Sequence, residues 1–555
     1  MLKLTILFVC LFYSNAFQLN SRYSIRTDIP NLSTKNVRST LTRNGGIYMQ
    51  TTTTKPPIVE SFGKGLMQDI KNKIPTLKSD ITDGLSIKSM SATCFLFFAC
   101  LAPAVAFGGL LAAATGGAMG TMETVGATAL GGMIYALFSG QPLTIIGTTG
   151  PLLAFVKVVH STCVRRGLPF LPVYSWIGLW SALFLYISAF TSTSNVVEYF
   201  TRFTDDIFSS LISVIFIVEA ITTLAGNFAN PLTSGLLASS SVLVALTTYF
   251  TTMRLKSLRK TSLLGRKIRN LLSDFAPTIG VGAGIGVSRM IDHAYLASFP
   301  KLAIPDIVGT TSGRPWLVDI MSVPMNIRLG CAIPAIMATI LLFMDQNITV
   351  RLVMSKQNKL KKSSGLHLDM LVIALVTTIT SLLGMPWMVA ATVRSLAHVR
   401  ALQQYQGDGA TASVTGVQEQ RVSGFAIHAL IGMAVLTGRP LLRSIPLPVL
   451  TGLFLYLGMS SIDTTELWDR SKMLISDSRD IPATAPGMKS AGLSKTNWFT
   501  IVQIALLGGM FWVKNTSLGV FFPVLVGLLP PVRIFMEKSG WFSRSELEGL
   551  DGELE

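Results

Sequence analysis

Apolar positions along this chain come in long runs rather than in strict alternation. From Ala92 to Arg533 about fourteen hydrophobic segments are set off by polar, Gly- and Pro-containing breaks. Many approach the roughly 20 residues that a helix needs to cross a 30 Å hydrocarbon layer. In the first half their cores begin near Ala92, Thr121, Thr148, Tyr174, Asp206, Leu232 and Phe275. In the second half they begin near Leu329, Leu368, Ala390, Ser423, Ile445, Trp498 and Leu518. The pattern predicts an all-α polytopic membrane protein. Its halves, residues 92–292 and 329–535, are joined by a polar, Pro-containing loop over 293–328. A linker over 57–91 is expected before them and a short tail over 536–555 after.

In each half the third segment is short and interrupted. The first reads QPLTIIGTTGPLLAF, Gln141 to Phe155, and the second GMPWMVAATVRSLAH, Gly384 to His398. Matching interruptions in two halves point to the inverted repeats of a transporter. Extended backbone at bilayer depth is tolerated only where protein or a water-filled cavity covers it. Two half-helices aiming their N-termini at one spot would gather partial positive charge and free N–H groups there, which suits an anion. Arg394, one turn into the second half-helix, adds a full charge and a planar fork of donors. A charge at this depth costs at least about 3 kcal/mol, so it is a functional candidate by default. The structural alternative is a salt bridge from Arg394 to Asp345, in FMDQNIT. Asp345 could instead hold a sodium ion or a proton. Glu219 and Lys514 also lie in apolar runs and read more readily as structural than as substrate-binding.

Composition agrees with the pattern. The 555 residues are only 14% charged, where a soluble chain carries about a quarter, and the mean hydropathy is +0.52. The net charge of +17 sits in loops. Arg254, Lys256, Arg259, Lys260, Arg266, Lys267 and Arg269 form one block, and Lys356, Lys359, Lys361 and Lys362 another. With the mature N-terminus on the positive side, both blocks return to that same side, as untranslocated loops should. Arg165 and Arg166 fall on the opposite side, an exception. No solvated basic face is left for a nucleic acid. Of the cysteines, Cys10, Cys94, Cys100, Cys163 and Cys331, none forms a CxxC pair, so they are expected to be small buried hydrophobes. The five histidines show no HExxH spacing and no GxSxG elbow occurs, so neither an enzyme nor a cofactor is expected.

The N-terminus is a separate object. Residues 1–16 have a lysine, an apolar run and a Ser-Asn-Ala end, the pattern of a signal peptide. Residues 17–56 are rich in hydroxyl and basic residues and carry Asp28 alone as an acid, as a transit segment does. Together they resemble the two-part plastid leader of algae with secondary plastids. A plastid envelope or surrounding membrane is therefore expected, with the plasma membrane as alternative.

Several stretches resemble the bicarbonate transporter and anion exchanger family, solute carrier family 4, over about residues 92 to 550. They are FFACLAPAVAFGGLL (Phe97–Leu111), GQPLTIIGTTGPLLAF (Gly140–Phe155), TRFTDDIFSSLISVIFIVEA (Thr201–Ala220), FMDQNIT (Phe343–Thr349), GLHLDM (Gly365–Met370), PWMVAATVRSLAH (Pro386–His398), VQEQRVSG (Val417–Gly424) and IPLPVLTGLFLYLG (Ile445–Gly458). The resemblance implies two inverted seven-segment repeats, a core domain moving against a gate domain, and a homodimer. It implies an anion site between the third and tenth helices, lined by the first and eighth. Carried onto this chain, the anion-binding residues are Phe107, Thr148, Thr149, Gly150, Pro151, Thr392, Val393, Arg394 and Ser395, with Asp345 as sodium site or charge partner. Lys514 matches a lysine that reacts with stilbene inhibitors in family exchangers and is placed on the pathway. Arg394 looks like the chloride–bicarbonate exchangers, whereas Met344-Asp345-Gln346 and the GTTGP break look like sodium-coupled members. Where many members have an acidic residue, this chain has Val156 and Lys157. The expected activity is bicarbonate or carbonate transport, with sodium or chloride as partner ion. Another oxyanion such as borate or sulfate is the alternative, borate being weakened by the ATVRS pattern.

Overall fold

The computed structural model describes residues 61–551, apart from 200, 232, 262, 296–298, 302–308, 407–412, 438–444, 464, 479–480, 482–484, 486 and 517–521. The expected signal peptide and transit segment lie outside the described residues. Two short helices, α1 (Lys64–Lys73) and α2 (Leu77–Thr82), occupy the stretch expected to be a linker. The first long helix, α3 (Ile87–Ala114), starts where the Ser86 hydroxyl accepts the Ser89 N–H, a side-chain cap of the kind worth about 1 kcal/mol.

The first half continues with α4 (Thr121–Phe138), α5 (Gly150–Arg166), α6 (Phe170–Phe190), α7 (Arg202–Ala229), α8 (Gly235–Ser257), α9 (Arg266–Asp274) and α10 (Ala276–Tyr295). After the connecting loop come α11 (Met325–Gly330), α12 (Ala332–Val353), α13 (Leu366–Leu382), α14 (Thr392–Leu402), α15 (Val422–Leu436), α16 (Leu447–Ile462), α17 (Glu466–Met473) and α18 (Met488–Lys514). Short α19 (Phe522–Gly527), α20 (Leu529–Lys538) and α21 (Arg544–Asp551) finish the chain. Among the described residues six helices are long and apolar enough to cross a membrane. Two further bent pairs, α9 with α10 and α16 with α17, pass the same test, and α13 and α15 are shorter apolar helices.

The helices sort into two groups, each drawing on both halves of the sequence. In one, α13 packs on α6, α15 on α4, and α12 on α6. Its core joins Phe155, Tyr174 and Leu185 to Leu341, Met370 and Trp387. In the other, α10 packs on α8, α16 on α7 and α8, and α18 on α7. There Phe203, Phe208 and Leu211 meet Phe499, Met536 and Phe542. The expected tail is folded back: Asp551 of α21 is buried and receives Arg533 Nε at 2.7 Å and Nη2 at 3.0 Å.

Arg165 and Arg166, the exception to the charge rule, occupy the last turn of α5, which Gly167 closes at φ 63°. Cations at a helix C-terminus meet its partial negative charge, and a left-handed glycine is the usual stop. Local helix chemistry accounts for that pair. Cys100, Cys163 and Cys331 are buried and unbridged as expected, Cys94 is half-buried, and Cys10 lies outside the described residues.

Candidate functional site

Both interrupted segments break where their glycines and prolines fall. In the second half α13 stops at Leu382, Gly384 takes φ 60°, and Pro386 cannot donate to a continuing helix. Trp387 then anchors the extended stretch. Its ring stacks on Tyr174 at 4.4 Å, its backbone N–H donates to the Tyr174 hydroxyl at 3.2 Å, and its Nε1 donates to Ser381 Oγ at 2.9 Å. Gly178 leaves room for this, since a Cβ there would collide with Ser381 and the indole.

The two extended stretches meet. β1 (Ile146–Gly147) pairs antiparallel with β2 (Val389–Ala390), Ile146 opposite Ala390 and Gly147 opposite Val389. The Ala391 N–H extends the ladder to the Ile145 carbonyl at 2.8 Å. All four strand residues are fully buried. Immediately after each strand a half-helix begins, α5 at Gly150 and α14 at Thr392. Helices α3 and α12 pack against both half-helices. The partners expected for the site are therefore brought together.

Arg394 is buried and reaches across to the first segment, its Nη2 donating to the Thr148 carbonyl at 3.0 Å. Its guanidinium fork packs close against Gly147: a Cβ on that residue would stand 2.5 Å from Nη1 and 2.7 Å from Nη2. The Cys100 thiol on α3 also neighbours it. Asp345, on α12, does not pair with Arg394. Among the described residues no ion pair joins them, and Asp345 Oδ2 accepts the Thr149 hydroxyl at 3.1 Å instead. Each charged group thus binds the start of α5 separately, and the direct salt bridge is replaced by two contacts on neighbouring threonines.

The other expected residues divide by role. Gly150 faces open space at the start of α5, with Pro151 beside it, both half-buried. Thr392 shares a 2.7 Å hydrogen bond with Thr349, and Val393 is buried. The Ser395 hydroxyl is engaged with the segment before β1, accepting from Ile145 N–H at 2.9 Å and sitting 3.2 Å from its carbonyl. It braces the crossing and leaves no hydroxyl for an anion in this arrangement. Phe107 is half-buried on α3. Lys514 ends α18 in the other helix group, where Glu219 is its electrostatic neighbour.

Residues not foreseen as part of the site surround it. His398 holds the Leu143 carbonyl at 2.8 Å and Ser423 Oγ at 2.6 Å. Gln346, beside Asp345, accepts the Ala390 N–H at 2.9 Å. Gly147 provides the flat surface for Arg394. The GTTG run was the available signal for Gly147, whereas nothing local marks the others.

Two broken helices that meet strand to strand inside an apolar helical body define a polytopic membrane protein with a polar crossing buried between the two halves of its sequence. The chain belongs to the family whose model is described as the HCO3- transporter integral membrane domain, matched over residues 60–237 and 236–555. It is 33% identical over 563 residues to a sodium-driven chloride bicarbonate exchanger of Bos taurus, covering 88% of this chain and 50% of that protein. It is 34% identical over 517 residues to the band 3 anion transport protein of Rattus norvegicus, covering 89% and 55%. The chain thus spans about half the length of these relatives. Among solved structures, the inward-facing murine solute carrier 26 member A9 shares the fold, with a TM-score of 0.51 at 13% identity, over 89% of this chain and 74% of that one.

Proposed function

We propose that this protein is a secondary transporter of bicarbonate or carbonate, working by alternating access around the strand crossing. The observation that carries the reading is the start of α5. Its open N-terminus at Gly150 stands beside Thr149, which Asp345 engages, and Thr148, which Arg394 engages. An anion there would meet helix-end N–H groups and a guanidinium. Sodium, where it is coupled, would be cargo at the Asp345 carboxylate. Chloride exchange would use the Arg394 side alone. Relatives named as a sodium-driven chloride bicarbonate exchanger and an electrogenic sodium bicarbonate cotransporter support both coupling modes.

The same reading takes the helices as fourteen crossings in two inverted repeats, with each strand and half-helix pair forming one crossing and α19 with α20 the last. The group holding the crossing is the core, and the group of α7, α8, α10 and α16 is the gate. Lys514 lies on the pathway, the molecule works as a homodimer, and residues 1–56 direct it to a plastid membrane. Uptake of labelled bicarbonate into vesicles carrying the purified protein, with sodium and chloride removed in turn, tests the function. No uptake under any ionic condition overturns it. Loss of uptake on removing one ion names the coupling mode.

A further inference from the structure

We propose that Gln346, Tyr135 and Asp369 are positioning residues for the crossing: one hydrogen-bonded chain that fixes both strands, and through them the two half-helix starts and Arg394. The inference rests on the reading that the crossing is the transport site. The chain begins on β2, where the Ala390 N–H donates to Gln346 Oε1 at 2.9 Å. Gln346 Nε2 donates to the Tyr135 hydroxyl at 2.8 Å. The Tyr135 hydroxyl donates to Asp369 Oδ1 at 2.8 Å. The same oxygen accepts the backbone N–H groups of Gly140 at 2.9 Å and Gln141 at 3.1 Å, which open the segment leading to β1. Three helices, α12, α4 and α13, therefore connect one strand to the approach of the other.

The direction of every bond is forced. A backbone N–H only donates, so the Gln346 carbonyl must face Ala390 and its amide must face Tyr135. Tyr135, having accepted from that amide, has one proton to give, and Asp369 takes it. Gln346, Tyr135 and Asp369 are each at most 1% exposed, so no water competes for these groups. Among the described residues Asp369 Oδ2 is buried with no hydrogen-bond partner. Such an orphan is ordinarily destabilising. Simple helix packing would be served better by an apolar side chain at position 369. What the carboxylate adds is three donors gathered on one oxygen, two of them the backbone at the mouth of the first break.

Tyr135→Phe removes the middle of this chain while keeping the ring. Ser181→Ala is the control: it removes an equally buried hydroxyl of the same helix group, bonded to the Ile177 and Ala335 carbonyls and not to the crossing. Both variants and the wild type are reconstituted in vesicles and read in two ways. Hydrogen exchange should quicken at the Gly140, Gln141 and Ala390 amides in Tyr135→Phe alone. Half-saturating bicarbonate should rise about three- to tenfold in Tyr135→Phe alone, with maximal rate retained, as expected for losing roughly one net hydrogen bond at a site. Tyr135→Phe behaving like Ser181→Ala in exchange overturns the proposal, and so does faster exchange with unchanged half-saturation. A wild type without uptake overturns the transport reading instead, and the exchange measurement then decides the positioning. If Tyr135→Phe is not recovered in the membrane, Asp369→Leu, which removes the oxygen that takes all three donors, is read in its place by the same criteria.

Discussion

The two interrupted segments share a backbone plan and differ in what they offer. Each is an extended pair of residues followed by a half-helix, and each pairs with the other. The first presents backbone and small groups: the flat face of Gly147, the Thr148 carbonyl, the Thr149 hydroxyl and open space at Gly150. The second presents bulk and charge, with Trp387 wedged into the core and Arg394 extended across the gap. Two segments can thus keep a common backbone geometry while one supplies a cradle and the other the ion that fills it. A cradle fails by being filled, and a charge fails by being removed.

The largest effect is expected from filling the cradle. Gly147→Val puts branched carbons where the guanidinium lies, and no backbone freedom exists between paired strands to absorb them. Overpacking of this kind costs about 1–3 kcal/mol even where neighbours can shift. Uptake should fall to background, and the thermal midpoint of the purified protein should drop with it. Normal uptake in this variant would mean that Arg394 does not lie against the strand in the working protein.

Arg394→Ala comes next. The anion would keep two helix ends, worth about 1 kcal/mol each and up to roughly 2 when partly buried, and lose its full charge. Losing a charged hydrogen bond of about 1.5–3 kcal/mol should reduce uptake at low bicarbonate at least about tenfold. Folding should be spared, because Asp345 has its own partner in Thr149 and is not stranded. Arg394→Lys should rescue in part at best, since a point charge cannot reproduce the planar fork that packs on Gly147 while reaching the Thr148 carbonyl. Full activity in the alanine variant would reduce the arginine to packing.

The breaks themselves were legible because glycine and proline punctuate helices whatever surrounds them. Arg394 and Asp345 stood out because charge in an apolar run is rare for energetic reasons. The partners were not legible. Whether Gly147 faces a guanidinium depends on strand register with a segment more than 200 residues away. The chain through Tyr135, Gln346 and Asp369 joins three helices whose sequences each scatter several polar residues among apolar ones, with nothing local to say which of them meet. Ser395 lies at the crossing, yet its hydroxyl turns to the Ile145 backbone, a partner 250 residues away in sequence that nothing around Ser395 announces. Helices α1 and α2 escaped notice because they are short and polar, and their docking relies on tertiary partners.

Asp345→Asn sharpens the division between the two charged groups. An amide oxygen can still accept the Thr149 hydroxyl, so the cradle should keep its shape and the amount of protein in the membrane should be unchanged. If sodium is carried, its stimulation of uptake should disappear while the remaining rate persists. A wild type already indifferent to sodium would leave the carboxylate as a local brace and favour exchange.

A smaller effect concerns support that is described for the second break: α1 docks on the helix leading into it. Asp69 Oδ2 accepts the N–H groups of His367 at 2.9 Å and Leu368 at 3.2 Å, at the start of α13. Burial raises this carboxyl to about 7, with the two N–H donors and Lys73 opposing the rise and Asp369 adding to it. A raised value means that docking favours the protonated form. The contribution is complete below the ordinary value of 3.8 and is lost as pH rises through about 7. A spin label at Met67→Cys, on the exposed side of α1, should gain mobility over that window. Adding Asp69→Asn should flatten the response, and an unchanged response would assign the titration to another group.

The smallest effect is expected at Gly150, three residues beyond Gly147 on the same cradle. A Cβ there would meet nothing within 4 Å, and its φ is not in the left-handed range that favours glycine. Alanine is also the better helix former, by about 1 kcal/mol in a helix interior. Gly150→Ala should therefore leave the thermal midpoint unchanged or slightly raised. Any change should be confined to the substrate: the methyl would stand in the open space at the half-helix N-terminus, where the anion is proposed to sit. A modest rise in half-saturating bicarbonate with unchanged stability would mark that space as the substrate's. Unchanged affinity would move the anion toward Arg394 and away from the α5 end. Position 147 would then be essential for holding the arginine alone, and the first interrupted segment would serve only as the cradle for the second.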